Sequence, residues 1–321
     1  MRTTSSEYIK NKILENYIEY QYFFVEFQSK FLSSLHSRYQ GLENANLVLY
    51  FSKHTHQEIL RQKDYNLNFN LSFERFWDNH RRINPQRISL TKIAEDTSLP
   101  KETTRRKILQ LIKQNVLNKK NQNIGLLPSE HYKKNYNLII AKEIDDVSKL
   151  LNIICKKINL SIPREEIVKK IKKKFSFYWF HYLGTQLEYL RLWSKQINDL
   201  ELILIFLQAA HLYASKVKEK KLSHKDFYEN PNTIKEFISA SISATSVAEV
   251  TGIPRATCVR KLQILIDLRI IFQDKISKRY YINPLAASKD LISRKITENI
   301  VKVFSNFYFI CIRELSSKTS D

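Results

Sequence analysis

Glycine is nearly missing from this chain: four residues in 321, alongside seven prolines. Hairpin-rich folds use both for their turns, so the scarcity argues against many short strands and for long helices with few breaks. Cysteine is scarce too. Cys155, Cys258 and Cys311 lack CxxC spacing and sit in apolar periodic runs, which indicates neither a disulfide framework nor a zinc cluster and suits a reducing, cytoplasmic setting. No glycine loop to cradle phosphates, no Gly-x-Ser-x-Gly elbow and no carboxylate set beside a histidine cluster is found. His54 and His56 are two apart, not four, and no acidic cluster accompanies them. The expectation is a protein that is not an enzyme and takes no metal or cofactor.

The amino terminus, MRTTSSEYIKNKILENYIEY, has neither the apolar core nor the cleavage site of a secretory signal. Long apolar runs are absent as well. The most apolar stretch, LELILIFLQAAHLYA from Leu200 to Ala214, is short for a bilayer and carries Glu201, Gln208 and His211, so it is expected as a buried helix, with no membrane partner. Acidic residues are under-represented: 32 against 53 basic ones, a formal charge of +21. That is the electrostatic footprint of a polyanion binder. Codon bias toward Lys, Ile and Asn would give the same excess, so the placement of the charge decides.

What the chain does contain is a repeat. TKIAEDTSLPKETTRRKILQLIK, Thr91 to Lys113, reads like TSVAEVTGIPRATCVRKLQILID, Thr245 to Asp267, and over Ile88–Leu117 against Ile242–Ile271 twelve of thirty positions are identical. Upstream, at a shift of 155, YFFVEF (Tyr22–Phe27) lands on FYWFHY (Phe177–Tyr182) and NLVLYF (Asn46–Phe51) on ELILIF (Glu201–Phe206). Downstream, IGLLP ending at Pro128 lands on YYINP ending at Pro284. Each half therefore reads in one order. A long aromatic helix (Tyr8–Tyr39, Arg164–Lys195) and an apolar helix (Leu47–Leu60, Leu200–Val217) lead into a three-helix segment with two short strands, then a closing helix (Ile139–Ile158, Lys289–Leu315). In segments, 1–80 is the helical part of repeat 1, 81–135 its three-helix segment, 136–232 the linking helix with the helical part of repeat 2, 233–288 the second three-helix segment and 289–321 the last helix. Duplication predicts a mainly α fold with a pseudo-two-fold arrangement.

Within the repeated stretch a short helix opens at Thr91 or Thr245, which suit an N-cap, and breaks at TSLP or TGIP. Gly252 has the freedom that a tight turn at positive φ needs; Ser98 lacks it. The next helix has its core face at Thr104, Ile108, Leu111 and Ile112, matched by Cys258, Leu262, Leu265 and Ile266. Opposite stand Lys101, Glu102, Thr103, Arg105, Arg106 and Lys107, and in the second copy Arg255, Ala256, Thr257, Arg260 and Lys261. A second helix presenting Arg, Lys and Thr from its first turns suits insertion into a DNA major groove. VLNKKNQNIGLLP and IIFQDKISKRYYINP then read as two strands around a basic tip, a wing placing Lys119 and Lys120, or Lys275, Lys278 and Arg279, near phosphates.

SVAEVTGIPRATCVRKLQIL and KIAEDTSLPKETTRRKILQL resemble the winged helix-turn-helix bacterial transcription regulators of the MarR, IclR and Crp-like kind. The resemblance covers Arg81 to Pro128 and Thr233 to Pro284. It implies duplex DNA binding through the second helix and the wing, with flanking helices used for dimerisation or effector sensing. The first copy departs from the pattern at Ser98 and at Glu102.

Plainer roles stand beside these. Arg106, Lys107, Arg260 and Lys261 could be a solvated face, Thr103 and Thr257 could satisfy first-turn amides, and Cys258 belongs to the core. KKIKKKF (Lys169–Phe175) needs no function beyond a snorkelling helix end. The aromatic belts YIEYQYFFVEFQSKF and FSFYWFHYLGTQLEYLRLW are expected as the packed seam between halves rather than a ligand pocket. The leading expectation is a single-chain pseudo-dimeric regulator on an asymmetric duplex site. The alternatives are a protein resembling plasmid or phage replication initiators, and an interaction scaffold that never touches nucleic acid. The last helix, with Ile292, Ile296, Ile300, Val303 and Phe307 on one face, offers a core or a homodimer interface.

Overall fold

Apolar residues at helical spacing dominate the chain, and the structure follows them. The computed structural model describes residues 5–85, 87–127, 130–197, 199–220, 239–283 and 291–317. It is mainly helical, with only two small antiparallel hairpins among the described residues. The first half runs α1 (Ser6–Glu15), α2 (Tyr17–Tyr39), α3 (Leu42–Tyr65), α4 (Phe76–Arg82), α5 (Leu90–Thr97), α6 (Lys101–Lys113), β1 (Leu117–Lys120), β2 (Asn123–Leu126) and α7 (Glu130–Lys157). The second runs α8 (Arg164–Lys173), α9 (Phe175–Ser194), α10 (Leu200–Glu219), α11 (Ala244–Thr251), α12 (Arg255–Asp267), β3 (Ile271–Gln273), β4 (Tyr280–Ile282) and α13 (Leu291–Ser316). The start of the second three-helix segment at Thr233, and the prolines Pro128 and Pro284, lie outside the described residues.

Two expectations need correction. Each long aromatic helix is two helices, broken at Asn16 (φ −122°, ψ 35°) and at Lys174 (φ −118°, ψ 43°), nearly the same backbone geometry in both halves. The repeat register in this helical part is 158, not 155, because α1 and α8, α2 and α9, and α3 and α10 all start that far apart. At 158 the buried residues match: Ile9 with Ile167, Ile13 with Ile171, Tyr20 with Tyr178, Gln28 with Gln186, Leu32 with Leu190, Leu42 with Leu200. Aromatics recur so densely in both belts that a frame slipped by three still pairs ring with ring, and that is why the matching runs misled.

Packing groups the chain into two compact units: Met1–Lys12, Glu43–Lys195 and Lys302–Asp321 form unit 1, and Ile13–Leu42 with Gln196–Val301 form unit 2. Neither unit is a sequence half. Helix α2, from the first half, packs on α10 and α11 in unit 2, while α9, from the second half, packs on α5 in unit 1. Each unit thus takes its aromatic helix from the other half.

The contacts repeat accordingly. In unit 2 the Tyr22 ring stacks on His211 with centroids 6.0 Å apart, and Gln208 donates to Ser29 Oγ at 3.0 Å. In unit 1 the matching pair is Lys53, whose Nζ lies 5.5 Å from the Phe180 ring. Trp179, Tyr182 and Tyr189 of α9 are among the largest fully buried side chains, and each such ring contributes about 1.5–3 kcal/mol of hydrophobic stabilisation. The belts are spent on packing, as the seam reading expects.

Helix α10 is longer than its sequence pattern indicated. At 20 residues it is long and apolar enough to cross a membrane by length and composition, yet most of it is buried, against α2, α11, α12 and β4. It is the central helix of unit 2. The apolar face of α13 is likewise covered: Ile296, Ile300 and Phe307 are buried and Val303 half-buried. Nothing is described of the Ile292 side chain.

Candidate nucleic-acid interface

The two helix-turn-helix segments are built alike. Ser89 Oγ accepts from the Lys92 amide at 3.1 Å and Ser243 Oγ accepts from the Ser246 amide at 3.0 Å, so the N-caps are these serines, each two residues before Thr91 and Thr245. The correction follows from the backbone: both serines are the last extended residues, and the threonines already lie in the first turn. The buried Thr97 and Thr251 hydroxyls each donate to the carbonyl four residues back at 2.7 Å.

The turn follows with a left-handed residue, Ser98 at φ 54° or Gly252 at φ 72°. Ser98 adopts the conformation without glycine's freedom, at a cost of about 1–2 kcal/mol. Pro100 (φ −55°) and Pro254 (φ −53°) then launch α6 and α12. Thr104, Ile108 and Leu111 are buried on one helix, and Cys258, Leu262 and Leu265 on the other. Burial raises the Cys258 thiol pKa, as a core cysteine requires. Asn115 (φ 56°) and Arg269 (φ 58°) turn the chain out of each helix into its hairpin.

On the outward side of α6, Lys101, Arg105 and Arg106 are exposed and Thr103 is half-buried. On α12, Arg255 and Arg260 are exposed and Thr257 is half-buried. Arg105 is engaged by its neighbour: Nη2 and Nε donate to Glu102 at 2.6 and 3.0 Å, and this pairing lowers the Glu102 pKa. Arg255 Nε donates to Thr245 Oγ1 at 3.2 Å. Lys119 and Lys120 are exposed at the end of β1, where Lys120 faces Asn123 across a two-residue turn.

Three expected contacts are placed differently. Lys261 is only 6 % exposed; it is salt-bridged to Asp199 and to Glu201, the latter at 3.1 Å. Lys107 is half-buried and pairs with Glu43 at 3.3 Å. The helical period explains both, since each lysine sits three residues after a core residue (Thr104, Cys258) and four before another (Leu111, Leu265), beside the buried stripe. Arg279 is the third: its guanidinium donates to Ser241 O at 2.7 Å and to Ser241 Oγ at 3.1 Å, tying the hairpin base to the chain before α11. Lys275 and Lys278 stay exposed at the tip.

Sequence reasoning missed the carboxylates that receive these lysines. Glu43 and Glu201 are equivalent residues at register 158, each second in a long helix after a leucine, and that Leu-Glu pair was the available signal. His36 hydrogen-bonds Glu201, and with Lys261 it pulls the carboxyl pKa down to about 2 against burial. The lysine run from Lys169 is also tied down: Lys170 donates to Leu315 O at 2.6 Å, and Lys174 pairs with Glu314.

The arrangement leaves two exposed helix edges, Lys101 with Arg106 and Arg260 with the remaining donors of Arg255, turned toward any anionic or base-edge acceptor. Beside each stands a hairpin with lysines at its tip. Comparison of the chain with protein-family models, with curated proteins and with solved structures finds no match.

Proposed function

We propose that the chain is a sequence-specific duplex DNA-binding regulator, made of two winged helix-turn-helix units in which the second half stands in for a second subunit. α6 and α12 are the reading helices and the two hairpins are the wings. The observation that carries the reading is a division of labour along each reading helix. Its mid-helix lysine, Lys107 or Lys261, is tied to a carboxylate of a long scaffold helix, while the arginine one position earlier, Arg106 or Arg260, faces solvent in both copies. The helical period sets which residue is tied down, and what it leaves outward in both copies is an exposed arginine on the first turns of the second helix, where a major-groove contact needs a donor.

The faces differ at Lys101/Arg255, Glu102/Ala256 and Arg105/Val259, so the expected site is asymmetric, with unlike halves about one helical turn, roughly 34–36 Å, apart. Selection of randomised duplex DNA by the full chain, followed by footprinting, tests this. Two unlike half-sites are expected, and binding that is absent even at low salt overturns it in favour of an interaction scaffold. Arg260→Ala then separates base from phosphate contact. Loss of about 1–3 kcal/mol with relaxed preference at one base marks readout, and uniform weakening across sequences marks a phosphate.

A further inference from the structure

The β3–β4 hairpin carries Ile276 at its tip with 93 % of its surface exposed, the highest value of any large hydrophobic among the described residues. A single exposed isoleucine is ordinarily unremarkable. This one is held out by a braced turn. Asp274 N donates to Arg279 O at 2.9 Å and Lys278 N to Asp274 O at 3.0 Å; Ser277 N donates to the Asp274 carboxylate at 2.6 Å, and Gln273 Nε2 to Lys278 O at 3.0 Å. Lys278 takes a left-handed backbone at φ 56°. Below the turn the Phe272 and Tyr281 rings meet at 6.0 Å, and Arg279 clamps the base to Ser241. The brace leaves an apolar side chain in water between Lys275 and Lys278, both exposed. The first hairpin has only Asn121 and Gln122 in its turn.

We infer that Ile276 is a wedge that enters the minor groove of bound duplex DNA, partly unstacks one base step and bends the helix axis at the second half-site alone. This inference rests on the duplex-binding reading above. An apolar tip on a stiff arm gains from leaving water for a base step, and flanking lysines meet the phosphates on either side of the groove. Flexible pyrimidine–purine steps resist such opening least, so the wedge adds preference at a step that no hydrogen bond reads. The first wing, short and polar, lies along the backbone without deforming it.

The test uses the full chain and the duplex most enriched from a randomised pool, labelled at both ends for energy transfer and carrying 2-aminopurine at successive steps of the second half-site. The expected result is a bend of about 20–90° and a rise in 2-aminopurine emission at one step. Ile276→Leu keeps both signals. Ile276→Asn loses the bend and the emission change while duplex binding persists, weakened by about tenfold or less. A complex that forms with straight DNA and no emission change, or an Ile276→Asn protein that bends DNA as before, overturns the wedge and leaves DNA binding standing. So does a tip that serves self-association, seen as a dimer in sedimentation that Ile276→Asn turns into monomer with the bend intact. Failure of any duplex to bind at low salt overturns the binding reading and the wedge together.

Discussion

The same lysine does two different amounts of work in the two units. In unit 1 Lys107 is 18 % exposed and meets one carboxylate, Glu43, itself 43 % exposed. In unit 2 the side chain of the equivalent Lys261 is 7 % exposed between two carboxylates, Asp199 and Glu201, and the second is also held by His36. Asp199 is the N-cap of α10, accepting from the Glu201 amide at 3.0 Å, so one carboxylate both starts α10 and anchors α12. Gly41 stands at the matching place in unit 1 and offers no such group. The difference teaches that at one helix position and one charge, the carboxylates within reach decide how much the lysine contributes to the fold.

Of the two lysine truncations, Lys261→Ala is therefore expected to have the larger effect. Truncation leaves two neighbouring carboxylates without their cation. Because both are about one-third exposed, the cost falls below that of a fully buried pair, at about 2–3 kcal/mol. Lys107→Ala should cost under about 1 kcal/mol, as partly exposed single pairs do. Chemical denaturation followed by hydrogen exchange in α10–α12 and in α5–α6 measures both, and equal costs would break the comparison.

Acid should weigh on unit 1 more than on unit 2. His56 in unit 1 is fully buried, its ring stacked at 4.8 Å on Phe76 and edge-on to Phe175, and burial pushes its pKa down to about 3. Unit 2 has Ala214 at the equivalent place. The neutral ring is the folded form, so His56 favours folding above its ordinary pKa of about 6.5, and that contribution is lost as pH falls from there toward 3, at about 1.4 kcal/mol per pH unit. Unit 1 should open first between about pH 6 and 4. His56→Phe should reduce that slope to the part left by His80, whose pKa burial lowers to about 4, read as amide exchange in α3 and α4 against pH.

The repeated helix-turn-helix was legible in the sequence because its rules are local. A residue at positive φ and a proline starting the second helix recur at one spacing, and each acts on its own backbone; the cap was misplaced by two residues, onto Thr91 and Thr245, because Ser89 and Ser243 recur at the same spacing and threonine caps nearly as well. The lysine tethers were not legible as tethers, although the helical period placed Lys107 and Lys261 beside the core stripe, because the partners Glu43 and Glu201 lie far off along the chain. The exchange of α2 and α9 between units was invisible for a related reason. An aromatic stripe such as Tyr20, Phe24, Gln28 and Phe31 states that it must be buried, and says nothing about which half's helices will cover it.

The turn offers a smaller test of the same two copies. Gly252→Ala places a methyl where no heavy atom lies within 4 Å, so the whole effect is left-handed strain, about 1 kcal/mol of destabilisation. Ser98→Gly relieves that strain in unit 1 while adding freedom to the unfolded chain, for a net gain of about 0.5 kcal/mol. The melting temperatures of the two variants should therefore move in opposite directions, and movement in the same direction would show that the turns are not equivalent.

The smallest change addresses the proposed reading faces directly. Glu102 stands where the second copy has Ala256, and it holds the Arg105 guanidinium in a two-pronged hydrogen bond. Both groups are exposed, so Glu102→Ala should alter stability by less than about 0.5 kcal/mol. Its effect on binding should be larger than on folding. If the chain binds duplex DNA as proposed, the substitution removes a charge that repels phosphate and releases a cation able to meet it, so the first half-site should gain affinity and the dependence of log K on log salt should steepen by about one contact. Titration of the selected duplex at several salt concentrations measures this. An unchanged slope would mean that Arg105 stays off the DNA even when free, and that Lys101 and Arg106 alone carry the first face.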